Sequence, residues 1–146
     1  MATTLTKILL HIAFSTKERA DFIPEGLESD LYSYIGGVCR GRASVLLAMG
    51  GTANHVHMLV SLGKVTALSD LMLDVKRDSS RWMNERGAFK WQEGYFAFSI
   101  GESGVEPLRA YIAGQKEHHA ERGFQDEMRA IMTKYKMEWD ERYVWD

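Results

Sequence analysis

His55 and His57 flank Val56. In an extended strand, residues two apart emerge on the same side, so the two imidazoles form a chelating pair. Further along, Tyr111 and Gln115 are four apart, which on a helix stacks a phenol one turn above an amide, and His118 and His119 continue that stripe. A strand offering two imidazoles and a helix offering a phenol could meet as a metal site beside a nucleophile. Each part also has a plainer reading. Paired histidines are often hydrogen-bonded in a core or stand at a surface. A helical tyrosine usually packs, since its phenol, with a pKa of about 10, must be activated to attack anything. The run "KEHH" alone reads as a solvated face.

The elements that would carry these residues can be read from apolar periodicity. "TKILLHIAF" (6–14) is a buried strand. After Pro24, the positions Leu27, Leu31, Ile35 and Val38 recur at helical spacing, and "GGVCRGR" closes the helix. "SVLLAMG" (44–50) and "HVHMLVSL" (55–62) are strands joined as a hairpin through Gly50, Gly51, Thr52 and Ala53. A helix follows from Thr66 to Glu85, then the strand "YFAFSI" (95–100), a loop "GESGVEP", and helices over about Glu106–Ala120 and Phe124–Tyr135. The order β-α-β-β-α-β with C-terminal helices added predicts an α+β, ferredoxin-like fold, a four-stranded antiparallel sheet with two helices on one face. Its first and third strands are central neighbours, which puts the histidine pair on an interior strand near His11. The second face is left for the terminal helices, a partner subunit or a ligand.

The 146 residues suit a single domain, 1–146. With 45% hydrophobic and 26% charged residues, and no apolar run of about 18, no membrane span is expected. Thr3–Ser15 alternates and lacks a small-residue cleavage site, so the compartment reads as cytoplasmic. Cys39 stands alone, which excludes an internal disulfide and any multi-cysteine zinc site. Lys and Arg total 18 against 20 acids, a net charge of −2, so any nucleic-acid surface must be a local patch. Lys76, Arg77 and Arg81 beside Trp82 are candidates, with Lys17, Arg19, Arg40 and Arg42 flanking the first helix. The interleaved Asp74 and Asp78 leave open a solvated, self-paired helix face.

Six segments in order, "FSTKER", "NHVHMLV", "KRDSSRW", "WQEGYFAFSI", "YIAGQKEHH" and "DERYVWD", resemble the single-tyrosine transposases of the HUH superfamily, the insertion-sequence 200/605 type. The resemblance runs almost end to end. Two positions depart from it: Asn54 stands where the family commonly has Asp, and Gly114 where it often has Asn. Losing a carboxylate at Asn54 would loosen the imidazoles and weaken the metal.

The resemblance implies that His55, His57 and Gln115 bind Mg²⁺ or Mn²⁺ and that Tyr111 is the nucleophile, with His11, Asn54, His118 and His119 as candidate outer partners of the site. It implies metal-dependent cleavage and rejoining of single-stranded DNA at hairpin-containing element ends, through a 5′-phosphotyrosine intermediate. It also implies a homodimer in which the tyrosine helix can act in trans. Two alternatives stay open. One is a host-adopted nuclease on hairpin repeats that moves no element. The other is a non-catalytic nucleic-acid-binding module.

Overall fold

The computed structural model describes residues 2–119 and 122–146. Four strands, β1 (Leu9–Ser15), β2 (Val45–Gly51), β3 (His55–Ser61) and β4 (Phe96–Ile100), form one antiparallel sheet in the order β2-β3-β1-β4. The first and third strands are the central pair, as the sequence predicts. Helices α1 (Glu28–Gly41) and α2 (Leu68–Asn84) cover one face. Strand alternation sends Ile12, Phe14, Val56, Met58 and Val60 to that side, where they bury against Leu31, Ile35, Leu71, Met72 and Val75.

The opposite face takes the alternate residues. It is covered by the C-terminal elements: α3 (Val105–Ala113), α4 (Gln115–His119) and α5 (Phe124–Lys134). Leu108 and Ile112 of α3 pack on Leu59. Phe124, Met128 and Met132 of α5 pack on Ala13, Phe96 and Phe98, and the tail adds Trp139, Val144 and Trp145 to the same cluster. A cleft between α3–α4 and α5 therefore stands over β1 and β3, and the polar side chains of those strands point into it.

Two features seat α3. A register shift between Leu46 and Ala48 breaks the β2 ladder, and the carbonyl of Leu47 accepts a hydrogen bond from Arg109 Nη1 at 2.6 Å. At Gly50 the helix backbone comes so close that a Cβ would lie 2.5 Å from the Ile112 carbonyl oxygen. Gly50→Ala must therefore lift the end of α3 and displace Tyr111. A misplacement of about 1 Å at a reacting group can cost on the order of 100-fold. We expect Gly50→Ala to stay folded by circular dichroism while losing, on that scale, the DNA cleavage that the family resemblance implies. Unchanged cleavage would show that α3 is not positioned by this contact.

The long helix expected over Glu106–Ala120 is interrupted. Gly114 leaves helical geometry (φ −91°, ψ 13°) and divides it into α3 and α4. Glycine has the poorest helix propensity after proline, which is the physical reason for a break there. The path nearly continues across it, because the His118 amide donates to the Gly114 carbonyl at 3.1 Å. The expected end of that helix, Ala120, lies outside the described residues. Among the described residues no helix is long and apolar enough to cross a membrane.

Candidate metal and nucleophile site

The register of the central strands gathers the histidines. His57 lies opposite Ala13 and His55 opposite Ser15, while His11 lies opposite Leu59 on one side and Phe98 on the other. All three imidazoles are buried. Small side chains opposite the pair leave room above the sheet for groups from the helices. Gln115, at the start of α4, brings Oε1 to 2.9 Å from His55 Nε2. Tyr111 on α3 places its ring 5.6 Å from that of His57 and 5.0 Å from that of His118, centroid to centroid.

Two further residues complete the cluster. Glu127 on α5 reaches His57 Nε2 at 2.7 Å and His119 Nε2 at 3.0 Å, and Gln115 Nε2 donates to its carboxylate at 3.3 Å. One donor atom from each of His55, His57, His119 and Glu127 lies within 4.8 Å of all the others. Donors about 2.0–2.3 Å from a common ion lie at most about 4.5 Å apart, so the widest pairs would draw in and the His57–Glu127 pair would open for all four to surround one ion. Glu127 was not identified from sequence. The available signal was an acid lying within the apolar stripe of Phe124, Met128 and Ile131, where a charge has no solvent to meet.

The hydrogen-bond pattern around His55 also fits a cation. Its Nδ1 stands 2.8 Å from Asn54 Oδ1, and its Nε2 faces Gln115 Oε1. The Thr52 hydroxyl, 2.9 Å from the same Nδ1, can donate to it, which satisfies a neutral imidazole whose proton on Nε2 faces Gln115 Oε1. With the proton on Nδ1 instead, Nε2 presents a lone pair that could coordinate a cation. Asn54 reaches His55 from the position where the family resemblance implies a carboxylate. On the other imidazole, His57 Nδ1 stands 2.8 Å from His11 Nε2, so His11 contacts the histidine pair from the neighbouring strand.

Burial, reinforced by the neighbouring His57, lowers both His55 and His11 from an ordinary 6.5 to about 3. Burial alone would raise the Glu127 carboxyl, but hydrogen bonds from His119 and His57 outweigh it and hold the group far below its usual range. The unfolded chain accepts protons on these groups that the folded chain refuses, so acid favours unfolding. Stability of the metal-free chain should fall as the pH drops below about 6.5, by up to about 1.4 kcal/mol per pH unit for each of the two histidines, and more steeply once Glu127 joins. Urea melts in chelator at about pH 7.5, 6 and 5 check this, and a midpoint constant over that window would contradict the buried neutral imidazoles.

The basic residues singled out from sequence lie elsewhere. Arg42 pairs with Asp74 at 2.5 Å, and Arg77 with Asp74 and Asp78 at 3.1 and 2.8 Å. Lys76 turns its ammonium to the carbonyls of Gln92, Glu93 and Gly94 and over the Phe14 ring. Arg40 and Arg81 are exposed on α1 and α2, across the sheet from Tyr111. Lys17 and Arg19 follow β1, and Arg19 donates to the Trp145 carbonyl. None of the seven is brought to the phenol. Beside Tyr111, a groove of about 420 Å³ opens along Pro107, Leu108, Ile131, Lys134 and Tyr135.

Comparison with known proteins agrees with this architecture. The profile of the family described as Transposase IS200 like matches residues 4–115. A candidate transposase from Deinococcus radiodurans R1, known from a crystal structure, superposes with a TM-score of 0.63 at 18% identity, covering 79% of this chain and 95% of that one. A REP-associated tyrosine transposase bound to a REP hairpin superposes with a TM-score of 0.61 at 16% identity, covering 82% and 73%. At such identities these likenesses speak for the fold. A search of curated proteins gave no match. The profile spans well over half of the sequence, and its fold is the one seen here: the chain belongs to the IS200-like transposase family.

Proposed function

We propose that residues 1–146 act as a single-domain DNA strand transferase that cuts and rejoins single-stranded DNA through Tyr111. The observation that carries this reading is the placement of the Tyr111 phenol beside His57, in the cleft where the donor atoms converge. A divalent ion, Mg²⁺ or Mn²⁺, held by His55, His57 and Gln115 would stabilise negative charge on the phosphoryl oxygens of the bound strand. The solved relative bound to a REP hairpin supports hairpin-containing DNA as the substrate.

The chain's own groups account for the rest. Burial, and then the Glu127 carboxylate, push the Tyr111 phenol above its ordinary value, so the resting group is protonated. Its Oη attacks the phosphorus as it gives up that proton. A P–Oη bond forms, the P–O3′ bond breaks, and the departing oxygen takes up a proton as a 3′-hydroxyl. The ester on Tyr111 conserves the energy of the broken bond, so a second DNA 3′-hydroxyl can reverse the step without ATP. His118, exposed beside the Tyr111 ring, would exchange the phenolic proton with water. His118→Ala should slow cleavage by about 100-fold or more while leaving metal affinity unchanged. An unchanged rate would remove His118 from the mechanism.

Tyr111 stands against His57 of its own chain, an arrangement that acts in cis unless the tyrosine helix exchanges between subunits of a homodimer. Co-expressed His55→Ala and Tyr111→Phe subunits should then give an inactive mixed dimer, whereas restored activity would place the tyrosine helix in trans. The reading as a whole is tested by strand exchange. A labelled hairpin incubated with the protein, Mn²⁺ and a second single strand bearing a free 3′-hydroxyl should yield a joined product, and chelator should abolish it. Tight hairpin binding with neither cleavage nor joining would favour a binding module instead.

A further inference from the structure

The family profile ends at Gln115, yet two of the four converging donors, His119 and Glu127, lie beyond it. We infer that Glu127 and His119 are metal ligands in their own right, so that the segment after the family-matched region turns a site that depends on DNA into one the protein fills alone. The inference deepens the proposed function, because it concerns the same centre.

Glu127 is 3% exposed, and neither a lysine nor an arginine reaches its carboxylate among the described residues. Its partners are two imidazoles, an amide and the Tyr111 phenol. One oxygen of that carboxylate and one nitrogen each from His55, His57 and His119 lie within 4.8 Å of one another, and a buried carboxylate facing three imidazole nitrogens is a donor set that a divalent ion fills.

The ligand chemistry then differs from that of two imidazoles and an amide. Three neutral donors leave both charges of the ion to be met by substrate phosphates, so a hard cation would bind weakly without DNA. A carboxylate cancels one charge and is a ligand that suits Mn²⁺, and a third imidazole adds a donor favoured by Zn²⁺. The arrangement also ties α5 to β3 through the metal. Phe124, at the start of that helix, packs its ring 4.8 Å from His55, so the helix is already seated where Glu127 can reach.

The test uses the full chain without DNA. Mn²⁺ and Zn²⁺ affinities are measured by competition with a chromophoric chelator, and Co²⁺ provides the visible spectrum. The wild-type protein should bind one ion per chain. Glu127→Gln and His119→Gln should each weaken binding by more than about 100-fold, beyond the 10- to 100-fold typical of groups that only orient a ligand. Each should also shift the Co²⁺ bands. Asp126→Asn, at an exposed neighbour paired with Arg129, should change neither. Circular dichroism in chelator reports whether each variant folds, and with two variants, failure of one to fold leaves the other to decide. Absence of metal binding in the wild type, or affinities and spectra unchanged in a folded variant, would overturn the assignment. Since no DNA is present, these outcomes are read separately from strand exchange, which can succeed or fail on its own.

Discussion

His57→Ala should abolish DNA cleavage and destabilise the metal-free chain by about 3 kcal/mol. The imidazole is fully buried, with one nitrogen 2.7 Å from Glu127 and the other 2.8 Å from His11. Truncation opens a cavity over Ala13. It also removes a hydrogen bond from a carboxylate that has no solvent to replace it. Leaving a buried charge short of partners is among the few mechanisms that produce losses above the common range of single substitutions. Urea denaturation in chelator measures the stability loss, and the labelled hairpin reports cleavage. A variant of wild-type stability would mean that the Glu127–His57 contact contributes nothing. A variant that still cleaved would remove His57 from the metal centre.

Tyr111→Phe should have the opposite profile. Cleavage should fall by at least about four orders of magnitude, the scale seen when a nucleophile is deleted from a working site. Fold, metal affinity and hairpin binding should remain, because the ring keeps its packing against His57 and His118 and only the hydroxyl is lost. This separation distinguishes a nucleophile from a packing tyrosine. If cleavage survived in Tyr111→Phe, another group or water would be the attacking species.

Much of this architecture was legible because the signals were local. Strand alternation put His55 and His57 on one face, and four-residue spacing put Gln115 within a turn of Tyr111. The structure keeps His55 and His57 on one face and brings Gln115 to His55, although the helix is broken at Gly114 between Tyr111 and Gln115. Apolar runs located all four strands to within a few residues, and topology made β1 and β3 central neighbours, which brought His11 to the pair. The break at Gly114 depends on one residue's backbone freedom and was hidden by a strong helical period on both sides.

What sequence did not show is set by tertiary geometry. Glu127 acts through α5, whose docking on Phe96 and Phe98 no local pattern specifies. His119, expected to be an outer partner, joins the converging donors because α4 leans toward α5 at Glu127. The sequence leaves the basic residues of α2 as either a DNA patch or a self-paired helix face. In three dimensions Arg77 pairs with Asp74 and Asp78 of its own helix, and Arg42, from beyond α1, reaches the same Asp74, a contact between separate elements that charge counting cannot reveal.

The central claim is a covalent bond between Tyr111 and a DNA 5′-phosphate, and peptide mapping of trapped protein tests it most directly. The protein is incubated with a library of single-stranded hairpins of varied flanks and Mn²⁺, denatured, digested and sequenced by mass spectrometry. The account predicts one modified peptide, carrying a 5′-phosphonucleotide on Tyr111 and formed only with metal. A nucleotide on any other residue, or cleaved DNA with no adduct under conditions that trap the intermediate, would contradict it.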